Sequence, residues 1–136
     1  MKAGTALLAV LCLLGGGAFA QPSATRVTLS GLAAAYDRCS AKAVTNVDFS
    51  ACGAARLKDG DILLNTVWKR VYGATAGQSK RALLAEQRLW IAYKDKSCAW
   101  WLTDHGREGQ IIHYPLCRAA VVEDRIGLLA DMETGQ

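Results

Sequence analysis

Four cysteines, Cys39, Cys52, Cys98 and Cys117, constrain this chain more than any other feature. They follow a segment that reads as a secretory signal peptide, residues 1–20. Lys2 supplies the positive start, Ala6 to Leu14 is an apolar run too short to span a bilayer, and Ala18-Phe19-Ala20 is an A-x-A cleavage site. Cys12 lies inside that run behind Leu11, where a lipid-attachment signal needs a small residue. The expectation is export with cleavage after Ala20, and no membrane attachment afterwards. An even number of cysteines in a small exported chain reads as two disulfides. Four cysteines permit three connectivities. Pairing in sequence order, Cys39 with Cys52 and Cys98 with Cys117, closes the short loops, each holding turn-forming residues, and is favoured on that ground. A structural metal site wants C-x2-C pairs, and the sequence has none.

What remains after cleavage, Gln21 to Gln136, is 116 residues, enough for one domain with a modest core. Without Lys2 the Lys and Arg residues outnumber Asp and Glu by three. The excess is mild, and the basic residues never form a run, so a nucleic-acid surface is not indicated.

The pattern is helical. Residues 21–35 read as a small, polar leader followed by the start of a short helix, "SGLAAAYDRC", and the folded domain as 36–133. A longer helix should start near Asp48, which can cap it, and run to about Tyr72 on the stripe Leu57, Leu64, Trp68 and Val71. Gly60 weakens it from within, and "GATAG" at 73–77 stops it. A second helix should run from Gln78 or Ser79 to Cys98, or as far as Trp101, forming an antiparallel hairpin with the first. Residues 103–115, "TDHGREGQIIHYP", read as a loop. A third helix should begin near Leu116 and end near Met132, with Val121, Val122, Ile126, Leu128 and Leu129 on its apolar side. The expected fold class is all-α: a small helical bundle built on an antiparallel hairpin plus a third helix, tied by two disulfides.

The second helix holds a puzzle. At 100° per residue, Gln87, Trp90, Ile91, Lys94 and Cys98 share one face. The face with the tryptophan should be buried, yet it also carries a glutamine and a lysine. Folding the hairpin about 73–77 places Asn65 opposite Gln87 or Arg88, and Asp61 opposite Arg88 or Ile91. The four polar residues Asp61, Asn65, Gln87 and Arg88 are therefore expected to hydrogen-bond across the hairpin as structural groups, since an unpaired buried one costs about 1–3 kcal/mol. Lys94 can lay its stem on the core and keep its ammonium in water.

These same residues carry a resemblance. Cys39, Cys52, "DILLN" at 61–65 with an aromatic at 68, "AEQRLWIAYKDKSC" at 85–98, Cys117, and Arg125 followed by Leu128 and Leu129 together resemble the LprI-type lysozyme-inhibitor family, in its N-terminal domain. Lys94 stands where the family more often has arginine, and Trp68 where it more often has tyrosine; the two histidines before Cys117 are not typical of it. The resemblance implies a small exported bacterial helical protein, periplasmic or secreted, that binds a protein partner, such as a lysozyme or another cell-wall hydrolase, and catalyses nothing.

No nucleophile elbow, H-E-x-x-H or P-loop is present, and His105 and His113 are eight apart, a poor metal spacing. Neither a cofactor nor a metal is expected. The candidate binding surface is the loop from Ala99 to Leu116. It offers Trp100, Trp101, His105, Arg107 and His113, the mixture of aromatic and arginine groups that anchors interfaces. A lysozyme cleft is lined by two carboxylates, so a cation such as Arg107 is the natural group to meet it, with the histidines adding charge in mild acid. The alternative is that Trp100 and Trp101 finish the core and the loop merely spans a gap. The excess positive charge gives no steering toward a strongly basic animal-type lysozyme. That leaves room for an envelope interaction or immunity protein without lysozyme activity; a cell-wall enzyme is the remotest reading.

Overall fold

A computed structural model describes residues 28–134. The segment expected to be a signal peptide and most of the expected leader lie outside the described residues. Four main helices follow one another: α1 (Leu29–Ser40), α2 (Asn46–Ala74), α3 (Gly77–Lys96) and α4 (Tyr114–Thr134), with no strand among the described residues. Between α3 and α4 come a 3-10 turn (Ala99–Leu102), one α-helical turn (Gly106–Glu108) and a π-helical turn (Gly109–His113). The segment expected to be a loop is therefore largely helical, and α1 opens at Leu29, one residue before the expected helix.

Each boundary has a local cause. Thr28 caps α1 by accepting from the Gly31 amide. The cap of α2 is Thr45 rather than Asp48. Thr45 accepts from the Asp48 amide while the Asp48 carboxylate accepts from the amides of Thr45 and Val44, a reciprocal capping box. The break to α3 is shorter than "GATAG" suggests: only Thr75 and Ala76 separate the helices, because Gly77 takes a left-handed φ of 58° and opens α3 itself.

The core lies between α2 and α4, which run parallel. Leu64, Val67 and Val71 meet Val122, Ile126 and Leu129 there. Gly60 makes this approach possible: a Cβ on it would stand 3.3 Å from Val122. Its place in mid-helix is thus a packing requirement, which outweighs the weakening expected of a helical glycine. Two forked ion pairs rivet the same seam. Arg56 donates through Nε and Nη2 to Glu123 at 2.6 and 2.7 Å, and Arg70 to Glu133 at 3.0 Å through both nitrogens. α1 lies antiparallel on α2, joined by the Cys39–Cys52 disulfide, with Leu32 buried near Gly60.

α3 is held differently. It runs antiparallel to both long helices but buries only Leu83 and Gln87. Beyond its first turns it stands back from α2, and Ile91, expected inside, is exposed. Trp68, Tyr72 and Trp90 pack against the core from its margin. Lys94 behaves as expected: it is half-buried, with Nζ 5.8 Å from the Trp90 ring centre.

Candidate functional site

The segment from Cys98 to Cys117 forms a compact tip, closed at its base by the expected disulfide. α3 ends at Lys96 with Ser97 in an extended conformation, and Cys98, at a left-handed φ of 69°, turns the chain into the 3-10 turn. Gly106, at φ 60°, reverses it again. Gly109 admits no side chain: a Cβ there would stand 2.5 Å from His105 Cβ and 2.6 Å from the Trp101 carbonyl oxygen. The π turn follows from the sequence. Pro115 has no N–H, so it cannot return the usual bond to the fourth residue before it, and the Tyr114 amide reaches five residues back to Gly109.

Four of the five expected binding residues gather here around Trp101. The His113 ring stacks on Trp101 with centres 4.4 Å apart and planes 22° apart, and His105 meets it edge-on at 5.0 Å. Trp100 packs T-shaped against Trp101 at 4.7 Å, its ring centre 3.7 Å from that of His105. His105 Nδ1 is 3.0 Å from the Trp100 carbonyl oxygen. The histidines thus flank one indole. Trp101 is half-buried in this stack, whereas Trp100 is 63% exposed; neither enters the main core. Arg107 and Leu102 are exposed on the same tip.

The polar residues expected to bridge the hairpin do not do so. Gln87 is buried, but its side-chain oxygen accepts from Arg125 Nε at 2.9 Å, and Arg125 Nη1 donates to Glu86. Arg125 comes from α4, is 3% exposed, and has its guanidinium 5.9 Å from the Trp90 ring centre. It is therefore α4, not α2, that answers the polar face of α3. Arg88 is exposed and makes no hydrogen bond or ion pair with the described residues. Asp61 and Asn65 do share a face of α2, but they line an open groove of about 520 Å³ with Leu57, Ile62, Tyr114 and Pro115. The sequence carried a signal for the true partner: Arg125 interrupts the apolar stripe Val122, Ile126, Leu129 at helical spacing, and a cation there needs an acceptor.

The arrangement suits recognition by surface. A tip with an outward indole, an arginine and a disulfide base sits on a rigid two-helix frame. A model of the lysozyme inhibitor LprI family matches residues 39–129, from Cys39 to the buried Leu129. The chain belongs to the LprI family. No curated protein and no solved structure matches it. Both disulfides, Gln87, Arg125 and the whole tip of this LprI domain fall within the matched span. No helix among the described residues is long and apolar enough to cross a membrane.

Proposed function

We propose that this LprI domain is an exported protein-binding module that seizes a cell-wall hydrolase, a lysozyme in the first instance, through its Cys98–Cys117 tip, and acts by occupying a site rather than by chemistry. The observation that carries the reading is Trp100: a tryptophan left 63% exposed on a tip whose backbone is fixed by a disulfide and a cluster of four rings. Large aromatics and arginine supply most of the energy of tight interfaces, and a pre-ordered tip avoids the entropy of arranging them on contact. Arg107 is the group assigned to the hydrolase carboxylates, where a charge-assisted pair contributes about 1.5–3 kcal/mol.

A second reading keeps the tip and changes the partner, to an envelope protein that is not a lysozyme. The net positive charge favours it, since a strongly basic lysozyme gains no long-range attraction. Capture of binding partners from a panel of purified lysozymes and other cell-wall hydrolases, followed by lytic assays, tests both. Binding with inhibition supports the first reading, binding without inhibition the second, and capture of none refutes both.

A further inference from the structure

A second surface lies on the other side of the molecule's asymmetry, along the seam where α3 meets α4. Two hollows adjoin there. One, of about 430 Å³, lies where α2 and α3 meet the end of α4 and is lined by Val71, Thr75, Ser79, Leu83, Glu86 and Met132; the next, of about 220 Å³, lies between α3 and α4 and is lined by Trp90, Tyr93, Asp124, Arg125 and Leu128. Glu86 belongs to the first and Arg125 to the second, and these two side chains are bonded to each other, so the hollows meet at that ion pair. Along α3 the combined groove runs from Ser79 to Tyr93, about 21 Å at 1.5 Å per residue, the length of four helical turns.

Its lips are apolar and uncovered. Tyr93 is 60% exposed and Leu128 47%; Leu89, one turn before Tyr93, is 73% exposed. Its charge is acidic. Arg125 gives Nε to Gln87 and Nη1 to Glu86, its buried Nη2 having no partner among the described residues, whereas Asp124 on the rim and Asp131, one turn beyond Leu128 on the same side, are exposed and pair with no described cation.

We infer that this groove is a docking site for an amphipathic helix of another protein that carries an apolar stripe flanked by lysine or arginine. Both walls are helices with their backbone groups already bonded, so an extended strand finds no free amides to pair with, while a helix brings its own bonds satisfied. Apolar side chains three and four apart would enter between Tyr93 and Leu128 and over Met132, and flanking cations would meet Asp124 and Asp131. A second copy of this chain suits the groove less, because a symmetric pairing sets acidic rim against acidic rim. The site is separate from the tip and does not depend on what the tip binds.

The test is a residue-resolved NMR titration of the mature, oxidised protein with a 14-residue helical Leu/Lys peptide, alongside the same peptide with glutamate for every lysine. The expected result is saturable amide shifts confined to 79–93 and 121–132, affinity at least tenfold lower for the glutamate peptide, and a similar loss in D124K/D131K. L128D, checked by circular dichroism, should lose the interaction altogether. Absent shifts, shifts centred elsewhere, or equal affinity for both peptides would overturn the inference. So would groove shifts that grow with protein concentration alone, which would make the occupant a second copy.

Discussion

α2 with α4 and α3 with α4 are two helix pairs of one small domain, held by opposite means. α2 and α4 touch because a missing side chain, at Gly60, lets Val122 in, and the seam is apolar from Leu64 to Leu129. α3 contributes little apolar burial and is fastened by a polar clamp, Arg125 with Gln87 and Glu86, and by the Cys98–Cys117 disulfide at its far end. Close packing fixes a frame along its whole length. A clamp fixes one element at one point and leaves its outer face free, which is why Leu89 and Tyr93 remain uncovered.

The largest effect should come from breaking the clamp. Arg125→Ala leaves Gln87 buried without its donor and opens a void beside Trp90, so a loss of roughly 3–5 kcal/mol is expected. Thermal unfolding measures the total. Hydrogen exchange sharpens the comparison: α3 amides should lose protection before those of α2 and α4. Equal loss in all three helices would show that the clamp belongs to the frame after all.

Removing the Cys98–Cys117 disulfide, with both cysteines changed to alanine, should cost about 3 kcal/mol for a span of this length, by the chain-entropy argument. Near-ultraviolet circular dichroism should show the Trp100–Trp101–His113 stack loosened. An unchanged signal would mean that ring packing alone orders the tip. Against the frame, Gly60→Val should cost about 1–3 kcal/mol by overpacking against Val122, with exchange accelerated in α2 and α4 together. Arg88→Ala, by contrast, should alter stability by less than about 0.5 kcal/mol, because the side chain is exposed and unbonded.

The smallest effect is the acid limb. The Asp48 carboxyl is held below its ordinary 3.8 by backbone bonds from Thr45 and Val44, and Glu133 below its ordinary 4.5 by its bond to Arg70. Both bind protons more weakly folded than unfolded. Their stabilisation is complete above those ordinary values and is lost as pH falls through the lowered folded ones. Asp48→Asn should flatten the stability profile below about pH 4 and leave it unchanged at neutrality apart from a weakened cap.

The frame was largely legible in the sequence and the clamp was not. Cysteine spacing yielded the two pairings that form, and helical periodicity yielded the stripes of α2 and α4 except for Leu128, which was expected on the apolar side of α4 and is 47% exposed. Folding the hairpin about 73–77 assumed that neighbours in sequence are partners in packing. Here Gly60 gives α4 the closest place beside α2, so Gln87 finds Arg125 instead of Asn65. The tip reads as a loop in sequence because Gly106, Gly109 and Pro115 are residues that usually break helices. In this context they shape one: Gly106 reverses the chain, Gly109 admits Trp101, and Pro115 widens the turn into a π-helix. Such uses depend on contacts between segments, which periodicity does not encode.

The most direct test of the proposed role is titration calorimetry of the oxidised protein with a hydrolase it captures, comparing wild type with Trp100→Ala/Arg107→Ala. Both side chains are exposed, so the double variant should keep its melting temperature. The account expects saturable binding by the wild type and at least a hundredfold weaker binding by the variant, from the loss of one aromatic anchor and one charge-assisted pair. A correctly folded variant that binds as tightly as the wild type would contradict it.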